Sequence, residues 1–394
     1  MRVFWHRRDL RIPDNKGLTV ASRDGPVVPS VAADLDADAV YWNDHYRPKR
    51  RNADRRVRDE LAGRGIDAES RTDHVLVSPG RLDDDYPTHG AFYSDWQEVP
   101  KGTPFRPETD AFASFTDERT PPTPDADIDL PSAGYEAARE RYDGFESPTT
   151  SVSRLSPYLA AGMIGIREVW ADASDVYDAV HGGERKNVDK YRYELSWREH
   201  NYHLLYHNPN LAATNYVDFP NEIAWRDGDD ARAEFEAWTA GETGYPFVDA
   251  GMRQLNEEGY IHNRPRQIVA SFLTKHLLVD WRKGARHFTE HLVDHDHASN
   301  YGNWQWIAST GTDSVDVRIF DPVSQMDKYD SGAEYVTTYV PELADVPPGR
   351  IVEWPTLSAR ERTDLAPDYP DPIVDRNEGW DRAERVFETA LGKR

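Results

Sequence analysis

The 394-residue sequence predicts an α/β domain built on a parallel sheet, followed by a large all-α domain. Three observations carry that reading. Before residue 103, short apolar runs alternate with polar helical segments, the pattern of strands joined by crossovers. Residues 103–131 are then rich in Pro, Thr, Asp and Ser, with Thr120-Pro121-Pro122-Thr123-Pro124 at their centre, and too poor in apolar periodicity for packed structure. Beyond them apolar residues recur at helical spacing with little strand-like alternation. The expected division is residues 1–102 as the α/β domain, 103–134 as linker and 135–394 as the α-helical domain.

Arg2-Val3-Phe4-Trp5 reads as a buried strand leaving into the basic loop His6-Arg7-Arg8-Asp9-Leu10-Arg11. Ala39-Val40-Tyr41-Trp42 is a second strand, residues 52–63 a polar helix ending at Gly63, and His74-Val75-Leu76-Val77 a further strand. A parallel crossover needs about a dozen residues, and residues 29–38 barely supply them. In the second domain Val248, Met252 and Leu255 mark a helix stopped at Gly259, and Val269, Phe272, Leu273 and Leu277 mark the next.

A chain of this length can bury two or three cores. The absence of cysteine excludes disulfides, thiolate metal sites and cysteine nucleophiles. Met1-Arg2-Val3-Phe4-Trp5-His6-Arg7-Arg8 contains no apolar run of signal-peptide length, and no later segment reaches the length of a membrane span. The expectation is a soluble, cytoplasmic monomer without a membrane partner. The net charge of −23, from 70 acidic and 47 basic residues, argues against a nucleic-acid partner when averaged over the chain. Residues 252–286 reverse the local sign: seven basic residues (Arg253, Arg264, Arg266, Lys275, Arg282, Lys283, Arg286) stand against Glu257, Glu258 and Asp280. An acid-rich surface also suits high ionic strength, where self-repulsion is screened, so a salt-adapted source is expected.

Functional side chains are densest in Asp294-His295-Asp296-His297-Ala298-Ser299-Asn300-Tyr301-Gly302-Asn303-Trp304-Gln305-Trp306. Just upstream lie Tyr260-Ile261-His262-Asn263-Arg264-Pro265-Arg266-Gln267 and Trp281. Arginines answer phosphates, amides answer ring heteroatoms, and indoles stack on bases or pass electrons, so the set suits a large flat ligand with a pyrophosphate. On a helix Trp304 and Trp306 fall on roughly opposite faces. His291, Asp294, His295, Asp296 and His297 lack the spacings of a metal site, and no metal ligand is assigned. Val152-Ser153-Arg154-Leu155-Ser156-Pro157 places hydroxyls and amides at a helix start, either an anion site or an ordinary cap. Glu194, Trp197 and Arg198 are an i,i+4 Glu–Arg pair beside a core indole, or part of a pocket. Asn263, ahead of Arg264-Pro265, reads as a helix cap or a ligand contact.

The fragments Thr243-Gly244-Tyr245-Pro246, Val248-Asp249-Ala250, His262-Asn263-Arg264, Ala270-Ser271-Phe272-Leu273, Asp280-Trp281-Arg282 and Trp304-Gln305-Trp306 resemble, in that order, the flavin-binding domain of the photolyase/cryptochrome family. The similarity continues through Ser309-Thr310-Gly311-Thr312-Asp313, Arg318-Ile319-Phe320-Asp321-Pro322, Pro341-Glu342-Leu343 and Asp368-Tyr369-Pro370-Asp371-Pro372. It covers nearly everything from Tyr135 onward and, more weakly, the N-terminal part.

The resemblance implies light-driven repair of cyclobutane pyrimidine dimers in DNA, in which excited reduced FAD lends an electron and receives it back. It implies FAD contacts at Tyr135, Val152, Ser153, Arg154, Leu155, Ser156, Arg198, Tyr260, Asn263, Arg266, Asp294, Asp296 and Asn300, with Arg266 and Asp294 as an ion pair. The family usually has threonine at the position of Val152, so one hydroxyl contact is lost. Asn300 would face the ring nitrogen that gains a proton on reduction. Glu194, Trp197, Asn263, Gln267 and Trp306 would form the dimer pocket. Trp304, Trp281 and an outer indole, assigned to Trp225 rather than Trp238, would pass electrons.

Gln267 and Ser299-Asn300-Tyr301-Gly302-Asn303 are similar to the single-strand-preferring DASH branch, whereas Trp306 is similar to the class I dimer enzymes. The (6-4) branch would have histidines at Asn263 and Gln267. Between Val27-Val28 and Val31-Ala32 the family normally has a full strand and a long helix, so the N-terminal domain is expected to be shortened and the deazaflavin or folate antenna is not carried over. The competing implication is a cryptochrome-like photosensor without repair. The absence of a long tail after Leu391 favours the enzyme.

Overall fold

Strands β1 (Arg2–Phe4), β2 (Val27–Pro29), β3 (Ala39–Asn43) and β4 (Asp67–Arg71) pair in parallel in the order β2-β1-β3-β4. Val3 is in register with Val28 on one side and Val40 on the other. Parallel neighbours need crossovers. Helix α1 (Lys16–Arg23) supplies one between β1 and β2, and α2 (Pro48–Gly63) another between β3 and β4. Leu18 and Ala21 of α1 pack on Phe4, Ala39 and Tyr41. The approach is close because residue 17 is glycine: a Cβ there would lie 2.5 Å from Asn43 Oδ1.

The computed structural model describes residues 2–6, 9, 11–23, 27–29, 37–112, 128–144, 152–313 and 317–393. Most of the short crossover after Pro29 and the centre of the expected linker lie outside the described residues. The described chain forms two compact units, Met1–Pro209 with Asp296–Ser299, and Asn210–His295 with Asn300–Arg394.

The strand expected at His74-Val75-Leu76-Val77 is absent from the sheet, and β4 forms earlier, at Asp67–Arg71. Its Asp-Ala-Glu-Ser-Arg sequence shows no apolar alternation because it is an edge strand with mostly half-buried side chains. The apolar run is buried for a different reason. The amides of Leu76 and Val77 donate to the carboxylate of Glu199, so a side chain replaces a sheet partner. Glu199 also accepts from Trp96 Nε1 at 2.9 Å, and its burial raises its pKa.

The first unit adds α3 (His89–Glu98), α4 (Tyr135–Asp143), α5 (Ser156–Ala161), α6 (Ile166–Ala179) and the 26-residue α7 (Gly182–His207). Phe92, Trp96, Leu159, Ile166, Val169 and Leu195 belong to its larger core. The sheet is tied to α6 by buried charge. Arg11 donates to Asp9 at 3.0 Å and Asp73 at 2.8 Å, while Arg167 donates to Asp14 at 2.8 Å and also pairs with Asp73.

Among the described residues the second unit contains helices and connecting loops and no strand. It contains α8 (Asp229–Ala240), α9 (Pro246–Glu258), α10 (Asn263–Ser271), α11 (Trp281–His291), most of α12 (His297–Ala308), α13 (Pro322–Tyr329), α14 (Glu334–Tyr339), α15 (Pro348–Val352), α16 (Ala359–Leu365) and α17 (Arg376–Ala390). As its periodicity predicts, α9 stops at Gly259, which takes φ 60°. The next apolar run is not one regular helix. After Ser271 the chain widens into a π-helical turn, Phe272–His276, and Leu278 then adopts φ 52°. Asn263 is the first residue of α10 rather than its cap. The cap is His262, whose ring nitrogen accepts from the Arg264 amide.

Asp249 shows what the Thr243-Gly244-Tyr245-Pro246 fragment does. Its carboxylate accepts from Thr243 N (2.7 Å), Thr243 Oγ1 (2.6 Å), Gly244 N (3.0 Å) and the Tyr369 hydroxyl (2.5 Å). The group thereby fixes the entry into α9 and anchors a C-terminal loop to it.

Burial pushes the pKa of His200 and His203 down to about 3, and that of His89, His276 and His287 to about 4. In the unfolded chain these groups take protons near 6.5. Between that value and about 4 the unfolded state therefore binds more protons, so stability is fully present above 6.5 and declines as pH falls. Melting temperatures recorded across this window should fall on acidification, and His200→Phe should flatten the slope; an unchanged slope in that variant would contradict the assignment.

Candidate functional site

Helices α10 and α12 carry many of the residues singled out from the sequence, and α11 sets the position of α12. Asn300 is buried, and its Nδ2 donates to Ala285 O at 2.9 Å and Thr289 Oγ1 at 3.3 Å. Both amide hydrogens are thus committed to α11, and the amide oxygen is presented as an acceptor. One turn on, the buried Trp304 meets Phe288 edge-on at 5.1 Å and Trp238 at 6.3 Å. Gly284 permits this approach, since a Cβ there would sit 2.3 Å from Trp304 Cη2.

At the end of α12 the fully buried Lys275 donates from Nζ to Ala308 O (2.8 Å) and Ser309 Oγ (3.0 Å), above the ring of Phe387. A cation is favourable at a helix C-terminus, although desolvation holds the lysine's pKa well below its ordinary value. Trp306 projects to the other side of α12, as the helical spacing predicts. Its ring lies 3.8 Å from the Arg318 guanidinium and 6.4 Å from Phe320.

Arg266 of α10 donates to Asp294 Oδ2 at 2.6 Å, and its Nε donates to Ile261 O at 2.5 Å. The ion pair implied by the resemblance is therefore formed. The Asp294 side chain is 2% exposed, and its Oδ1 is buried with no protein partner; the same is true of Gln267 Oε1 on α10. Tyr260 places its ring 5.6 Å from the Arg266 guanidinium. Asn263, at the start of α10, is exposed.

Trp281 is buried at the start of α11, with Nε1 donating to Asn215 Oδ1 at 3.1 Å and Tyr301 edge-on at 6.3 Å. Trp225 is half-buried against Phe387 at 5.7 Å. The amide of the next residue, Arg226, donates to Leu278 O at 2.8 Å, which ties this segment to the turn leading into Trp281. Trp238 is fully buried, with Nε1 bonded to Val269 O at 3.0 Å.

The first unit holds the remaining candidates. On α7, Glu194 is exposed and pairs with Lys190, while Arg198 donates to His74 O at 2.9 Å. These partners replace the i,i+4 Glu194–Arg198 pair that the spacing permits. Arg198 Nη2 is buried without a partner. Trp197 is half-buried and stacked on His89. Asp296 accepts from the Ser299 amide at 2.9 Å, capping α12, and from the Tyr202 hydroxyl.

The start of α5, which follows Ser153-Arg154-Leu155, has no side-chain cap. The carbonyls of Ser153 and Val152 are held by Arg141 at 2.9 and 3.3 Å, and Val152 is exposed. The Tyr135 hydroxyl donates to Glu168 at 2.5 Å. Among the described residues no group of three His, Cys, Asp or Glu side chains could hold a metal ion, and no helix is long and apolar enough to cross a membrane.

Sequence reasoning passed over His89, Glu199 and Lys275 as site-shaping residues. Lys275 left a signal: one charge inside the otherwise apolar run from Ile268 to Leu273 and on to Val279. His89 left none, because its partner is more than a hundred residues away in sequence.

Residues 191–389 match the FAD binding domain of DNA photolyase, and residues 23–109 match the DNA photolyase domain. The chain is 38% identical to a deoxyribodipyrimidine photo-lyase of Halobacterium salinarum over 485 aligned positions that span 100% of both chains. Because that alignment is longer than this chain, the relative carries segments that are missing here. A cryptochrome DASH of Natronomonas pharaonis is 36% identical, with 94% of this chain and 84% of that one covered. The crystal structure of a class III photolyase from Agrobacterium tumefaciens superposes with a TM-score of 0.85 at 30% identity, covering 100% and 98% of the two chains.

A parallel-sheet domain joined to a helical FAD-binding domain defines a light-dependent flavoprotein. The chain belongs to the photolyase/cryptochrome family, with relatives among both photolyases and DASH cryptochromes, and its cofactor is FAD. The residues present fit that group. Asp294 Oδ1 and Gln267 Oε1 are buried polar atoms that the protein leaves unsatisfied.

Removing Asp294 should therefore cost cofactor as well as the ion pair. Asp294→Ala should weaken FAD binding by about tenfold or more, the worth of one charge-assisted hydrogen bond of roughly 1.5–3 kcal/mol. A purified variant as yellow as the wild type would refute the assignment.

Proposed function

We propose that the protein is a deoxyribodipyrimidine photo-lyase that repairs cyclobutane pyrimidine dimers in DNA. The observation that carries this reading is the ion pair of the partly exposed Arg266 with the buried Asp294, whose other oxygen is unsatisfied, set in a domain of the FAD-binding type. When bound, FAD supplies the light-excited electron that splits the dimer.

The chain's own residues bind, orient and exclude water. Arg266 and Asp294 would offer one donor face and one acceptor to the ring system, Asn300 would offer its amide oxygen to a ring nitrogen that carries a proton, Tyr260 stands beside Arg266, and Arg198 would be a further donor to the cofactor. Ser153, Arg154, Leu155 and Ser156 offer amides and hydroxyls to phosphate, with Val152 contributing backbone only and Tyr135 its ring. Asp296 acts on the cofactor through the start of α12, which it caps. Trp304, Trp281 and Trp225 serve as the electron route. Full burial of Trp238 supports Trp225 as its outer end, since that member must meet solvent.

On the substrate side, Trp197 and Trp306 stack on the flipped lesion, Gln267 and Asn263 hydrogen-bond its edges, and Glu194 stabilises the dimer once it carries the added electron. Glu194 must leave Lys190 to do so, a small cost for an exposed pair. Gly284 limits how far Trp304 can be displaced, so the electron route is held by packing as well as by helix geometry.

An anaerobic blue-light assay on dimer-containing oligonucleotides tests the reading: restored thymines are expected, and no repair with FAD fully reduced would leave a photosensor. In the same assay Trp197→Ala should lose about 1–3 kcal/mol of dimer affinity, the usual worth of an aromatic platform; equal wild-type binding of damaged and undamaged strands would dispose of that claim. Because the flavin and lesion residues all lie after residue 134, repair should run on FAD absorption alone. A second chromophore released stoichiometrically on denaturation would show that an antenna site persists.

A further inference from the structure

Trp197 does not stand alone on α7. One face of its indole is covered by His89 of α3, with ring centroids 3.7 Å apart and planes 8° from parallel. Tyr193 and His200 meet the same indole edge-on, at 6.5 and 5.9 Å. His89 is 1% exposed, whereas Trp197 keeps part of its surface in solvent.

Both imidazole nitrogens are committed. The single hydroxyl proton of Ser196 goes to Tyr193 O at 2.6 Å, so Ser196 Oγ, 3.0 Å from His89 Nε2, must accept there. The ring proton therefore sits on Nε2. Nδ1, 3.2 Å from the Tyr193 hydroxyl, accepts in turn. Burial pushes the His89 pKa down to about 4, which keeps this neutral tautomer in place. The imidazole is locked by hydrogen bonds and can serve as a rigid plate.

We propose that His89 is a positioning residue for lesion recognition: a plate on α3 that fixes the pitch of the Trp197 indole so that its other face is preset to stack on a flipped pyrimidine dimer. The inference rests on the reading of Trp197 as the lesion-stacking residue. Its physical basis is preorganisation. A half-buried indole on a helix can turn about two side-chain bonds, and a ring held against one face removes that freedom before substrate arrives, so less is lost on binding. Undamaged DNA keeps its bases in the duplex and does not use the platform, so the effect belongs to the dimer alone.

The experiment compares dark binding of one dimer-bearing oligonucleotide and its undamaged counterpart by the FAD-loaded wild type, His89→Ala, His89→Phe and Trp197→Ala. An aromatic pair of this kind is worth about 0.5–1.5 kcal/mol, so His89→Ala should raise the dimer Kd roughly two- to twelvefold. Affinity for undamaged DNA and the flavin absorbance should match the wild type. His89→Phe restores an aromatic plate without the hydrogen bonds and should recover most of the loss. The proposal is overturned if His89→Ala leaves the dimer Kd unchanged while Trp197→Ala raises it, or if His89→Phe binds no better than His89→Ala. A parallel loss of FAD and of undamaged-DNA affinity would mark a folding defect and count against it equally. If Trp197→Ala binds the dimer as the wild type does, the reading of Trp197 fails and takes the proposal with it.

Discussion

A helix that carries indoles on opposite sides, as α12 does with Trp304 and Trp306, is held in rotation as well as in position, and three contacts do this. Asn300 commits both its amide hydrogens to α11, Trp304 fills the space left by Gly284, and Lys275 takes the carbonyl of Ala308 at the helix end. The third is the most demanding. A lysine with no exposed surface loses its hydration, and its compensation is two oxygen partners, a helix C-terminus and an aromatic face. Because Lys275 lies in the π-helical turn, the widening of that turn and the rotation of α12 are coupled. A rotation of α12 about its axis would move Trp304 and Trp306 in opposite directions.

The first unit solves a different problem. Strands of three to five residues bury little by themselves, and the sheet has a polar edge in β4. Much of the anchoring is ionic instead. Asp9, Asp14 and Asp73 surround Arg11 and Arg167, and every one of these five is at most 5% exposed. Buried ions are costly to desolvate, so such a network adds little net stability compared with apolar packing; what it supplies is register. Arg167 belongs to α6 and Asp73 to the loop after β4, so the pairing allows one placement of that loop. Glu199 then accepts from the amides of Leu76 and Val77, and Arg198 donates to the carbonyl of His74. The helix bearing Trp197 is thus indexed to the sheet through hydrogen bonds to a loop.

The presence of a parallel sheet near the N-terminus and of a large helical part after it could be read from periodicity, and α9 with its glycine stop was legible almost to the residue. The family motifs pointed to the Arg266–Asp294 pair across 28 residues, and the pair is formed. What could not be read was whatever depends on a distant partner. His74-Val75-Leu76-Val77 has the composition of a strand, but side chains about ninety or more residues away, Glu199 above all, take its backbone groups and make it a loop. Asn263 has cap chemistry, but the backbone turns one residue earlier and His262 takes the role. Glu194 and Arg198 sit at pairing distance on paper, yet Lys190 and the His74 carbonyl compete successfully for them. Local spacing states what a side chain can reach; the rest of the fold decides what it does reach.

Residues of the same motif stretch separate by whether their polar atoms are satisfied. Asp249 accepts four hydrogen bonds, and Gln305 donates to Leu211 O and Thr214 O while accepting from Tyr216 N. Asp249 is saturated by the protein, and Gln305 has both amide hydrogens and one oxygen lone pair committed to it, so the family likeness they carry is likeness of fold. Asp294 differs. One oxygen holds Arg266, and the other is buried and unanswered, a state that costs about 1–3 kcal/mol in the protein alone. A ligand that donates a hydrogen bond to that oxygen would offset the cost, which turns a local instability of the empty fold into affinity for the occupied one. Gln267 Oε1 on α10 stands in the same condition. The polar atoms this domain leaves open are therefore those the fold does not itself complete, while complete motif residues such as Asp249 hold the surrounding chain in place.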